Sequence, residues 1–143
     1  MKWLHEVAGV VGTVDPANKN NSTSLTDAID MSKFSEVMFV VLTGDMDNTL
    51  DFKVQEAATS GGSYSDLSGK AVTQLAAHAS NNDNKQLIVS VKSEELSAGK
   101  QFVKGSLTIG NGTTNICGVV ALGVPRYAPA TDDDLSDVVQ VVA

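Results

Sequence analysis

The sequence predicts an all-β protein, an antiparallel β-sandwich or jelly roll with extended N- and C-terminal arms. Short apolar or alternating runs recur along the chain, at Val37 to Leu42, Leu50 to Val54, Leu87 to Val91, Val103 to Ile109 and Asn115 to Val124. Clusters of Gly, Asn, Asp and Ser separate these runs, which is the spacing of strands and turns. The one helix candidate, Ala71 to Ala79, is weak, because Val72, Leu75 and Ala76 make too short an apolar stripe. At 143 residues the chain has the length of one domain. Residues 1–127 read as a single sandwich with a short N-terminal arm, and residues 128–143 as an acidic C-terminal tail.

In chain order, the first six residues hold the only tryptophan, Trp3, followed by Leu4 and His5. An aromatic so near a terminus either tucks under its own core or anchors on a partner. Val7 to Val14 is rich in Val and Gly and reads as a strand, whereas Asp15 to Ser24 is almost free of apolar residues and reads as a loop. Leu25 to Asp30 is a short strand candidate. Val37 to Leu42 is unbroken apolar sequence, as expected of a strand covered on both faces. Leu50, Phe52 and Val54 alternate with Asp51, Lys53 and Gln55, the pattern of a half-buried strand. The Gly/Asp/Asn segment between them predicts that these two strands form an antiparallel hairpin.

Gly61-Gly62 marks a turn, with Tyr64 and Leu67 expected in the core. Ala71 to Ala79 is assigned to strand followed by loop. Gln86 to Lys92 is a strand with Leu87, Val89 and Val91 on one face. Glu94 to Lys100 is a connection with one helical turn. Gln101 to Ile109 is a strand whose Val103, Leu107 and Ile109 share a face, with Gly105 between them. Asn115 to Val124 is apolar on both sides and therefore central, and Pro125 stops it. Phe39, Phe52 and Phe102 all sit in apolar strand patterns and are expected in the core.

Composition excludes several classes of function. A net charge of −7 disfavours sequence-independent nucleic-acid binding and docking on anionic membrane. No run approaches the about 20 apolar residues of a membrane helix, and Glu6 interrupts any signal-peptide reading of the N-terminus. The chain is expected to fold in a reducing cytosol. Its one cysteine, Cys117, lies in an apolar run and reads as a buried, inert thiol.

Catalytic patterns are sparse. His5 and His78 are far apart and neither belongs to a metal-spaced pair, so neither a metal nor a cofactor is expected. Asp45, Asp47, Thr49, Asp51 and Glu56 have the spacing of a calcium loop. Leu50 stands where that loop needs glycine, and it begins a well-patterned strand, so the segment reads as a solvated acidic turn. Glu36, Glu56, Glu94 and Glu95 are the glycosidase candidates, but Trp3, Tyr64 and Tyr127 are a thin supply of sugar-stacking rings. The chain is not expected to be an enzyme.

Val37 to Gly44, Phe52 to Glu56, and Val119 to Tyr127 with its strand-then-Pro-Arg-Tyr ending together form a familiar pattern. Across roughly Val7 to Pro129 the chain resembles the jelly-roll capsid decoration, or cement, proteins of tailed bacteriophages. The resemblance implies a structural virion protein on the capsid exterior, made in the bacterial host cytoplasm. Its implied partners are the major capsid protein and further copies of itself, as a homotrimer or homodimer. It implies that the protein bridges neighbouring capsomers against internal DNA pressure. The ends and the strand-terminal pair are the interface candidates: Trp3, Leu4, His5, Arg126, Tyr127, Val138, Val139, Val141 and Val142. A head–tail or tail component and a carbohydrate-binding jelly-roll module are the alternatives.

Overall fold

The computed structural model describes residues 2–76, 83–127, 136 and 138–142. His78, Pro129, Asp132, Asp133, Asp134 and Asp137 lie outside the described residues. A one-turn helix α1 (Leu4–Val7) leads into β1 (Gly9–Asn18), β2 (Ser22–Leu25), β3 (Ile29–Asp30), β4 (Phe34–Met46) and β5 (Leu50–Ala57). Then come β6 (Ser65–Ala71), β7 (Gln86–Lys92), a 3-10 turn (Ser93–Glu95), β8 (Phe102–Ile109) and β9 (Asn115–Pro125).

The strands form two antiparallel sheets packed as a sandwich. One has the order β1-β9-β4-β7, and the other β2-β8-β5-β6, with β3 also pairing β8. Leaving out the two-residue β3, this is the winding of a jelly roll, in which consecutive strands mostly cross between sheets. Among the described residues, only β5 and β6 are strands both consecutive and paired. The expected central positions of β4 and β9 are met: each has a neighbour on both sides.

The expected hairpin between Val37–Leu42 and Leu50–Val54 is not formed. β4 pairs β7 and β9, whereas β5 pairs β6 and β8. The turn after Met46 carries the chain from one sheet to the other, so the two runs face each other across the core. Phe39, Val41, Phe52 and Val54 are all buried there.

Three further expectations need correction. The polar stretch Asp15 to Ser24 is not a loop throughout, because β1 runs on to Asn18 and β2 begins at Ser22. Both are outer strands, each paired on one side only, so exposed polar side chains cost them nothing while the backbone stays hydrogen-bonded. Leu67 is buried, but Tyr64 is only half-buried, its hydroxyl donating to Ser60 O at 3.0 Å with the Lys104 ammonium over its ring. Phe102 is also half-buried, because it alternates with the inward-facing Val103 and so points away from the core. Beyond β6, Leu75 makes an isolated bridge to Leu50.

Candidate protein-docking face

The inner face of the four-stranded sheet is closed by the second sheet. Its outer face has no such cover among the described residues. Alternation along β4 puts Val37, Phe39 and Val41 inward, all fully buried, and Met38, Val40 and Leu42 outward. On β9, Cys117, Val119 and Ala121 point inward, and Ile116, Val120, Leu122 and Val124 outward.

Registration joins these outward residues into rows. Val10 of β1 lies beside Leu122, Leu122 beside Met38, and Met38 beside Ser90 of β7. In the next row Thr13, Val120, Val40 and Ile88 are neighbours in turn. The result is an apolar surface spanning four strands, with Ile88 61% and Leu42 48% exposed. Val37 to Leu42 was expected to be covered on both faces; among the described residues it is fully covered on one. Contiguous apolar surface of this kind marks an interaction site more often than an idle face.

The face has two hollows. At one end α1 rises beside the sheet. Its turn is held by the bond from Ala8 N to Leu4 O at 2.8 Å, and Trp3 N donates to the Glu6 carboxylate at 2.7 Å. Trp3, Leu4 and His5 thereby form one wall of a groove of about 760 Å³, floored by Val10, Met38 and Leu122. Val142, from the C-terminal segment, lines the same groove. At the other end Leu42, Ile116 and Val120 surround a hollow of about 450 Å³ over Gly118. A Cβ at Gly118 would stand 3.0 Å from Pro16 Cα, so only glycine lets β1 pass this close.

The structure therefore brings together four of the interface candidates, Trp3, Leu4, His5 and Val142. Arg126 lies elsewhere: its backbone N–H donates to Lys33 O at 2.8 Å, and its guanidinium reaches Met31 O and the Ser93 hydroxyl. Tyr127 beside it is 82% exposed. Val138 is partly buried, while Val139 and Val141 are exposed. The face residues Met38, Val40, Ile88, Val120 and Leu122 were missed as site residues. Their signal was present, since a run that is apolar at both parities has a second face in need of cover.

The acidic and histidine candidates do not assemble. Among the described residues no group of three or more His, Cys, Asp or Glu is placed to hold a metal ion. Asp47 accepts from Thr113 N and Thr114 N at 3.1 and 2.7 Å. Glu56 is buried and accepts from Ser97 N at 2.9 Å. Hydrogen bonds from Lys70 and from Lys92 N hold the Glu95 carboxyl below the usual carboxylate range. No helix among the described residues is long and apolar enough to cross a membrane.

No protein-family model matches the chain, and no curated protein sequence matches it. Among solved structures, one described as "CBM4 structure and function" is similar, with 11% sequence identity and a TM-score of 0.43. The similarity covers 82% of this chain and 79% of that one.

Proposed function

We propose that the protein is a structural subunit that binds the outer surface of a phage capsid and bridges adjacent capsomers. The observation that carries this reading is the uncovered apolar face of the four-stranded sheet, supported by the sequence resemblance to decoration proteins. Each large side chain buried on that face contributes about 1.5–3 kcal/mol, so a few suffice for a specific contact. Several weak contacts made by one oligomer across neighbouring capsomers raise the overall avidity. A protein that binds only the assembled shell stabilises that shell by mass action. The net charge of −7 keeps free copies mutually repelling and soluble despite the apolar face.

The test uses purified heads stripped of the protein. Wild-type protein added back should bind and should delay rupture under heat or osmotic shock. The double variant Val40→Lys, Ile88→Glu, which sets opposite charges side by side on the paired strands, should keep its melting temperature within a few degrees and lose binding. Stripped heads that survive as well as complete ones would end the clamping role. A copy number of tens rather than hundreds per particle would move the protein to the head–tail junction. Retention on glycans without binding to heads would favour a carbohydrate-binding module.

A further inference from the structure

The turn between β8 and β9 carries the chain's only Asn-Gly pair, Asn111-Gly112. An asparagine before glycine is open to attack by the next backbone nitrogen, because no Cβ shields that nitrogen. Asn111 is exposed, so water reaches its amide. The turn is nevertheless tied down. Asn111 O accepts from the Asn48 side-chain amide, and Thr113 O accepts from Asn18 Nδ2 at 3.0 Å. The Gly112 N–H, the group that would attack, donates to Asn20 Oδ1 at 2.8 Å. Asn20 lies between β1 and β2, far in sequence from the turn it holds. A Cβ at position 112 would stand 2.8 Å from Asn115 Nδ2 and 3.0 Å from Asp47 Cβ. The packing therefore needs glycine at the one place where glycine makes the preceding asparagine reactive.

We propose that Asn111 is a site of spontaneous deamidation, and that Asn20 restrains the reaction by holding the Gly112 N–H. In the first step Gly112 N gives its proton to a solvent base and attacks Asn111 Cγ. The new C–N bond forms, the side-chain amide nitrogen leaves as ammonia, and a cyclic imide closes. Water then adds to one of the two imide carbonyls and opens the ring to an aspartyl or an isoaspartyl linkage. Water is the only co-reactant. A hydrogen bond to a neutral acceptor favours the protonated nitrogen, so Asn20 Oδ1 raises the cost of the first step. It also anchors the peptide group that must turn toward Asn111 Cγ. The isoaspartyl product lengthens the backbone of a turn that Asp47 ties to the β4–β5 crossing, and it adds a negative charge there. The inference is independent of what docks on the apolar face.

Peptide mass spectrometry of the full chain, incubated at mildly alkaline pH and sampled over time, tests it. Four proteins are compared: wild type, Asn20→Ala, Asn20→Asp and Asn18→Ala. Isoaspartate should accumulate at Asn111 ahead of every other asparagine, and faster in denaturant than in the native wild type. Asn20→Ala should raise the native rate by roughly 3- to 10-fold, the scale of one lost hydrogen bond. Asn20→Asp keeps an acceptor for the Gly112 N–H and should stay near the wild-type rate. Asn18→Ala removes bonds to Thr113 O and Asn115 N without touching the Gly112 N–H, and should also stay near wild type. An Asn20→Ala rate equal to wild type overturns the restraint. So does an Asn18→Ala rate raised as much, since loosening of the turn would then suffice. Conversion to aspartate without isoaspartate overturns the imide route, and faster conversion at another asparagine overturns Asn111 as the site.

Discussion

Phe39 of β4 and Phe52 of β5 meet across the core of the sandwich in a tilted pair, their ring centroids 5.7 Å apart and their planes inclined by 52°. Each comes from a different sheet, so the pair is where the two layers lock. Gly105 of β8 makes room for it. A Cβ there would stand 2.7 Å from Phe52 Cζ and 3.1 Å from Phe39 Cδ1.

Gly105→Ala is therefore expected to destabilise the protein by about 1–3 kcal/mol through overpacking. Phe52→Ala should cost about 3–5 kcal/mol by leaving a cavity. Combining Gly105→Ala with Phe52→Leu should cost less than the sum of the two single changes, because the smaller side chain frees the space the methyl needs. Chemical denaturation of the four proteins reads this directly, and strictly additive costs would show that Gly105 does not serve the ring pair.

Asp47 ties the β4–β5 crossing to the β8–β9 turn through Thr113 N and Thr114 N. Close by, Asn115 Oδ1 accepts from Asn48 N at 2.9 Å. Asp47→Ala should cost about 1 kcal/mol, with Asp47→Asn costing less because an acceptor remains. Calcium should not shift the melting temperature of the wild type, since Asp47 and Glu56 are engaged by backbone N–H groups in different places. A calcium-dependent rise in melting temperature would contradict this assignment.

Cys117 is buried on the inner face of β9, and burial pushes its thiol above the usual range. A thiol reagent applied to the native protein should leave it unmodified, and denaturant should expose one reactive thiol per chain. Prompt labelling without denaturant would mean that β9 opens far more readily than a central strand should.

Asp30 caps the turn after β3. Burial alone would push its carboxyl up. Hydrogen bonds from Gln101, the Ser32 hydroxyl and Ser32 N, with the Lys33 charge, outweigh that and hold it below the usual carboxylate range. The folded state thus favours the ionised form. Its contribution is complete above the ordinary carboxylate range and is lost as pH falls through that range and below it. The gain is under about 1 kcal/mol, because the side chain keeps solvent access. Asp30→Asn should lower the melting temperature at neutral pH, and the gap to the wild type should narrow as pH is taken below the ordinary carboxylate range. An unchanged gap between the two across that change of pH would place the stabilisation outside this carboxyl.

The all-β class, the strand β7, the inward set Val103, Leu107 and Ile109, and the buried Cys117 all followed from the chain itself. Each depends on alternation or on a local apolar run, and those are written residue by residue. Strand partnership was decided by the tertiary structure. Alternation at Leu50, Phe52 and Val54 says that one face is buried, but it does not say whether Val37 to Leu42 covers that face or pairs along its edge. In the jelly roll it covers the face, and the short Asp47–Thr49 connection serves a crossing between sheets as well as it would a hairpin. The docking face was half legible for the same reason. An outward row such as Val120, Val40 and Ile88 is apolar in the sequence whether its cover comes from this chain or another. Only the folded sandwich shows that the described residues leave much of it uncovered. Likewise nothing local relates Trp3 to Val142, which line one groove in the folded chain.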